Sequence, residues 1–375
     1  MPYLGYKSEL FMKKLLLSVS AALLLIAGAS AQDTWVRTST TQRQSEYPKV
    51  NQDGVYWFRF KAPSTAKDVK INFCSVDFPA ELDEEGYWNV KTKSPKVGFN
   101  LYYLVIDGVR YTDPGADVVY SNGWTGVIEV PSDIDPYYEM RDVPHGEVRE
   151  HWFYSNVSKE WRRVYVYTPA EYDTEVTKRY PVLYLQHGAG EMEQEWVHSG
   201  YAARIADNLI ADGTIEPLII VMNNDFVYRE GDTRGRLALA PDWSGNFEEM
   251  FINEAIPDTD AHYRTIPDAS HRAMAGLSLG GMLTNNVGLS HSRMFAYYGI
   301  FSGGTVSNPE NIDKDVVKLI FETCGAQEYP DRIKEDTEKL NAMGINASYY
   351  VSPDTAHEMQ TWRRSLHEFL PMIFK

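Results

Sequence analysis

The sequence predicts an α/β fold: a mostly parallel central sheet with helices on both faces, preceded by a small all-β sandwich. Three observations predict it. Residues 50–130 hold short alternating runs, "VYWFRFKA", "DVKINF", "YWNVKT", "FNLYYLVIDG" and "TGVIEV", divided by turn clusters such as "NQDG", "DEEG" and "DPGA"; no helical period intervenes. From Glu147 onward, near-continuous apolar runs alternate with stretches of helical period, as expected of parallel strands buried on both faces. Third, "RAMAGLSLGGML" at residues 272–283 sets a serine between glycines where a strand hands over to a helix.

The first 31 residues stand apart from the fold. "MKKLLLSVSAALLLIAGASA" joins a Lys13-Lys14 head to a short apolar run and a small-residue end at Ala31. It reads as a secretory signal peptide starting at Met12, with export to the periplasm or beyond after cleavage near Ala31. The sandwich is then residues 32–130. Residues 131–146, "PSDIDPYYEMRDVPHG", are rich in proline and acid and read as a linker. The α/β part is 147–375.

Within that part, "EVREHWFYS" and "WRRVYVYTP" read as paired strands. "YPVLYLQ" follows and ends in "HGAGE". A helix over 201–212 leads to the strand "PLIIVMN", and a second helix over 247–262 leads to "HRAMAGL". The remaining strands are "FAYYGIFS", "VVKLIFETC" and "ASYYVS". A last helix over 359–374 lines up Met359, Trp362, Leu366, Phe369, Leu370 and Ile373 at helical spacing, one face for packing.

Composition narrows the function classes. The formal net charge is −16. Residues 1–31 carry three lysines and one glutamate, so the mature chain is near −18. That charge repels nucleic acid and anionic membranes. The two cysteines, Cys74 and Cys324, fall in different predicted domains, and no Cys/His cluster has zinc spacing. The sequence predicts neither metal nor cofactor.

The chemistry centres on Ser278, in Gly276-Leu277-Ser278-Leu279-Gly280. A strand–serine–helix turn forces strained dihedrals on the nucleophile, and the flanking glycines leave room for it. The serine stands at a helix N-terminus, where N–H groups favour developing negative charge. Serine needs a base, and the base needs an orienting acid. Three histidines follow it. His291 is near the end of the helix that leaves the turn, and His367 lies within the last helix. His357, in the loop "SPDTAHEMQ" between a strand and the last helix, is the candidate base. Glu328 and Asp331 in "GAQEYPD" and Asp354 beside His357 are the candidate acids. An oxyanion site needs two N–H donors; Leu279 and Ala189, in the loop after the first central strand, are the candidates. His187 in that loop precedes the serine and is read as structural. Trp196, Phe226, Tyr228 and Trp243 fall between core elements, where substrate-binding loops belong.

Several segments in order, "YPVLYLQHGAGE", "IPDTDAHYRTIPDASHRAMAGLSLGG", "FETCGAQE" and "DTAHEMQTWRRSLHEFLP", resemble carbohydrate esterase family 1, the feruloyl and acetylxylan esterases of the α/β-hydrolase superfamily. The stretch from "DGVYWFRFKAPSTAKDVKI" to "YLVIDGVRYTDPGAD" resembles the immunoglobulin-like domain that precedes the esterase in many bacterial members, with the nearest likeness to Bacteroidetes-type feruloyl esterases. The resemblance implies Ser278 as nucleophile, His357 as base and Glu328, placed by the C-G-x-x pattern, as acid, where aspartate is commoner. It implies a secreted serine esterase releasing ferulate from plant cell-wall polysaccharide, with an acetylxylan esterase as the alternative. An enterochelin-type siderophore esterase would favour basic residues, which this chain does not advertise. A non-catalytic carbohydrate-binding protein would not need Ser278 and His357.

Overall fold

The computed structural model describes residues 34–232 and 243–375; the predicted signal peptide lies outside them. The chain divides into two compact units, one of residues up to 95 with 102–117, the other of 96–101 with 118–375.

The first unit is all β. One sheet runs in the order Val36–Arg37, Lys49–Val50, Val55–Phe60, Trp88–Lys93, Glu81–Leu82, every pair antiparallel. In the other, Val69–Phe73 pairs antiparallel with Val76–Pro79 and with residues 102–106. Burial alternates with period two along Val55–Phe60 and Val69–Phe73, because successive side chains point to opposite faces. The inward set packs as rings, with Phe58 5.5 Å from Phe73 and 4.9 Å from Tyr102. The buried Tyr102 hydroxyl donates to Asp113 at 2.8 Å.

The second unit is built on an eight-stranded sheet. Its strands are β1 (Glu147–Ser155), β2 (Glu160–Thr168), β3 (Val182–Gln186), β4 (Ile219–Met222), β5 (Arg272–Leu277), β6 (Tyr297–Phe301), β7 (Leu319–Gly325) and β8 (Ala347–Ser352). The order is β1-β2-β4-β3-β5-β6-β7-β8. β1 and β2 form an antiparallel hairpin, β2 is antiparallel to β4, and all later pairs are parallel. The central strands β3 to β7 are buried on both faces, so they read as apolar runs. Leu183 and Leu185 join one core with Ile205 and Leu209 of helix α1 (Ala202–Ala211) and Leu366 and Phe369 of the last helix (Met359–Phe369). Val182 and Tyr184 join the other, with Phe247, Met250 and Ile256. Among the described residues no helix is long and apolar enough to cross a membrane.

Two expectations need correction. The helix predicted over 247–262 is three pieces: α2 (Trp243–Met250), a wide π turn (Phe251–Ala255) and α3 (Ile256–His262). Pro257 lacks an N–H and crowds the carbonyl four residues earlier. Residues 131–146 are not a free linker. Asp135 is buried and accepts from Arg364 Nε and Nη2 at 2.7 Å each, and from Gln360 at 2.7 Å. Asn208 donates to the carbonyls of Tyr137 and Glu139. The compact unit also begins earlier than Glu147. Glu129 accepts both guanidinium nitrogens of the fully buried Arg363, at 2.9 and 3.0 Å. An acidic, proline-rich stretch looks solvated in sequence, but Arg364 of the last helix neutralises its Asp135, as Arg363 does Glu129 just before it. Removing one partner of such a buried pair costs about 3–5 kcal/mol.

Candidate active site

Four adjacent parallel strands end side by side, and a candidate residue follows three of them. Ser278 comes directly after β5, Glu328 follows β7 and His357 follows β8. Ser278 has φ 50° and ψ −111°, a conformation that costs a non-glycine residue about 1–3 kcal/mol. Close packing imposes it. A Cβ on Gly276 would come within 2.5 Å of the Gly280 backbone, and one on Gly280 within 2.6 Å of the Gln186 and His187 carbonyl oxygens. Each glycine therefore lets backbone meet backbone. The Ser278 N–H donates to the Phe301 carbonyl at 2.8 Å, tying the turn to the end of β6.

A chain of short hydrogen bonds leaves the serine. His357 Nε2 lies 2.8 Å from Ser278 Oγ, and its Nδ1 lies 2.7 Å from Glu328 Oε1. An Nδ1 facing a carboxylate carries the proton, so Nε2 is left to accept from the serine hydroxyl. The other Glu328 oxygen accepts from the Gly325 N–H at 2.6 Å and the Ser302 hydroxyl at 2.8 Å. Burial alone would raise the Glu328 pKa. The bonds from His357, Gly325 and Ser302 outweigh it and hold the carboxyl below its ordinary value. Asp331 is exposed in the first turn of helix α4 (Pro330–Ala342), and Asp354 is exposed; the carboxylate that meets His357 is Glu328.

Two residues that the sequence did not single out complete the support. Trp362 donates its indole N–H to Ser302 Oγ at 3.0 Å, and its ring meets the His357 ring edge-on at 5.0 Å. Ser302 sits in "FSGG", directly after a strand, and that placement was the available signal. Trp362 lies on the face of the last helix that the spacing assigns to packing, and the structure adds its hydrogen bond to Ser302.

Leu279 follows Ser278 and opens a short helix, Leu279–Leu283. Ala189 lies in the loop after β3, the neighbour of β5. Among the described residues no backbone carbonyl or side chain is found to accept the N–H of either. That loop is held from both sides. Buried His187 has Nδ1 2.8 Å from the Gly188 carbonyl and accepts the Asp225 N–H at Nε2, and the Gly188 N–H donates to Glu191 at 2.7 Å.

The aromatic candidates divide. Trp196 is fully buried, with its indole N–H donated to the Gln186 carbonyl at 2.8 Å and its ring against Phe301. It is a core residue, and the expectation of a substrate contact falls. Phe226 and Tyr228 line a cavity of about 370 Å³ with Trp152, Trp161, Glu191 and Glu193 among others. Trp243 begins α2, but its side chain lies outside the described residues. Among those residues one trio could hold a cation: His151, Asp258 and His262 bring ligand atoms within 4.8 Å of one another. His151 Nε2 and Asp258 already share a 2.6 Å hydrogen bond.

Residues 155–312 match a family model described as "Putative esterase". An "Endo-1,4-beta-xylanase/feruloyl esterase" of Xylanibacter ruminicola is 39% identical over 357 residues. The match takes in 92% of this chain but 48% of the relative, so the chain spans about half that protein's length. A solved ferulic acid esterase is 26% identical with a TM-score of 0.51, over 62% of this chain and 98% of that one. The enterochelin esterase of Shigella flexneri, 15% identical, shares the fold over 92% of this chain and 95% of its own, with a TM-score of 0.61.

Proposed function

We propose that the chain is a member of carbohydrate esterase family 1, an exported carboxylic ester hydrolase that releases hydroxycinnamate, ferulate above all, from plant cell-wall polysaccharide; the likeness to the putative-esterase model and to the xylanase/feruloyl esterase supports this reading. One observation carries the reading: the unbroken relay Ser278 Oγ–His357–Glu328, with contacts of 2.8 and 2.7 Å. In this reading the second unit is an α/β-hydrolase domain and the first an immunoglobulin-like domain that positions it.

The mechanism follows from the atoms present. His357 Nε2 takes the Ser278 proton as Oγ attacks the ester carbonyl. Glu328 stays ionised, holds the ring's tautomer and balances the imidazolium. The N–H groups of Leu279 and Ala189 receive the oxyanion. His357 returns its proton to the departing sugar oxygen, which leaves the acyl group on Ser278. Water then gives a proton to His357 and attacks the acyl carbon; collapse frees the carboxylic acid and restores the serine. Phe226 and Tyr228 face the substrate from the neighbouring cavity.

Ser278→Ala should lower hydrolysis of methyl ferulate about 10⁴- to 10⁶-fold and abolish labelling by a fluorophosphonate probe. Unchanged hydrolysis would refute the proposal. Product analysis on feruloylated, acetylated arabinoxylan should find ferulate; acetate alone would move the assignment to an acetylxylan esterase.

A further inference from the structure

The β1–β2 hairpin carries an aromatic surface that the relay at Ser278 does not use. Its register opposes Glu150 to Tyr165, Trp152 to Arg163 and Tyr154 to Trp161. Alternation along each strand puts all six on one face. Trp152, Tyr154 and Trp161 are 48, 45 and 65% exposed, while Phe153 and Val164 on the opposite face are buried. A solvent-facing cluster of large rings is the kind of surface that marks an interaction site.

The rings are held in place. Trp152 donates its indole N–H to Glu150 at 2.8 Å. Arg163 lies over the Trp152 and Tyr165 rings, and its Nε donates to Glu193 at 2.7 Å. Tyr154 and Trp161 meet edge to face at 5.7 Å. A surface so ordered loses little entropy on binding.

Topology puts this surface on the edge that carries the serine. β2 runs antiparallel to β4, with Tyr165 opposite Met222, the last residue of β4. Residues 161–163 therefore project beyond the C-terminal end of β4. Ser278, Glu328 and His357 follow the C-terminal ends of strands parallel to it. Between hairpin and serine lie the loops after β3 and β4, whose Glu191, Glu193, Asn224 and Phe226 line a shared cavity with Trp152 and Trp161. From β5 to β2 is three strand spacings, about 14 Å, further than a hydroxycinnamoyl group extends from its carbonyl.

Charge selects the occupant. Arg163 is paired with Glu193 and Arg162 with Glu160, so neither arginine is left to bind an anionic ligand. Flat rings beside fixed hydrogen-bonding groups suit a pyranose, whose faces are C–H and whose rim is hydroxyl.

We propose that Trp152, Tyr154 and Trp161 form a platform for the main chain of a neutral polysaccharide, which holds the polymer while a pendant ester reaches Ser278. This deepens the esterase reading and rests on it for the identity of the polymer. The test is retardation of the full chain in a native gel containing alkali-de-esterified arabinoxylan. The Ser278→Ala protein should be retarded. Adding Trp152→Ala and Trp161→Ala should restore the mobility seen without polymer, and Trp161→Tyr alone should keep part of the retardation. In the active background the double substitution should lower the ratio of kcat/KM on feruloylated arabinoxylan to that on methyl ferulate at least tenfold. No retardation of the parent, or equal retardation of the double variant, overturns the platform. Retardation that needs the tryptophans, with no hydrolysis of methyl ferulate by the active chain, sinks the esterase reading and leaves the platform standing.

Discussion

The two ends of one sheet edge meet opposite demands. At β5–β8 the chain is packed backbone to backbone: Gly280 abuts two carbonyl oxygens, Ser278 is held in strained dihedrals, and the Glu328 carboxylate accepts three hydrogen bonds. At the β1–β2 hairpin the large side chains Trp152, Tyr154 and Trp161 face solvent, oriented by one another and by Glu150. Proton transfer tolerates little displacement, so its groups are over-determined. A platform for a long neutral polymer, as proposed, needs open area, and the three rings are uncovered. In the proposed reading, the difference teaches that rigidity is kept where the ester bond is broken and exposure where the polymer is held.

That contrast can be broken by substitution. After the loss expected of Ser278→Ala, the largest effect should come from Glu328→Gln, which supplies an amide where His357 Nδ1 needs an acceptor. It should lower kcat about 10⁴-fold, while Asp331→Asn leaves steady-state kinetics on methyl ferulate unchanged. Equal losses would remove Glu328 from the relay. Next is Gly280→Ala, whose Cβ has no space beside the Gln186 and His187 carbonyls. It should destabilise by about 3 kcal/mol in denaturant titration; a neutral result would mean that the turn is looser than its contacts imply. Ser302→Ala removes a hydroxyl that links Glu328 to Trp362 and should lower kcat about tenfold with KM nearly unchanged. A rise in KM alone would make Ser302 a substrate contact. The smallest effect belongs to the hairpin. Trp161→Ala should change stability by less than about 0.5 kcal/mol, because the ring is mostly exposed; a loss comparable with Gly280→Ala would make it a packing residue.

Much of this was legible in the chain. Strands buried on both faces write themselves as apolar runs, and a strand–serine–helix turn needs small neighbours, so the Ser278 turn could be read directly. His357 stood out because it lies in a loop between the last strand and the last helix. The acid stayed open between Glu328, Asp331 and Asp354 because loop carboxylates look alike in sequence; the 2.7 Å contact distinguishes Glu328. Trp196 misled because "EMEQEWVHSG" is polar around it, while the group that takes its N–H is the Gln186 carbonyl, ten residues away. Residues 131–146 misled in the same way, since Arg364, which holds Asp135, and Arg363, which holds Glu129 just before them, lie more than two hundred residues on.

By itself the sequence determined the alternation of strands and helices, the serine turn and the candidate base, because each is written in neighbouring residues and short-range periodicity. Only the tertiary structure decided which carboxylate meets His357, which tryptophans are core and which face solvent, and that the hairpin's rings share an edge with Ser278. Those outcomes depend on strand register and on partners far apart in the chain, where burial and hydrogen bonding are set by the fold as a whole.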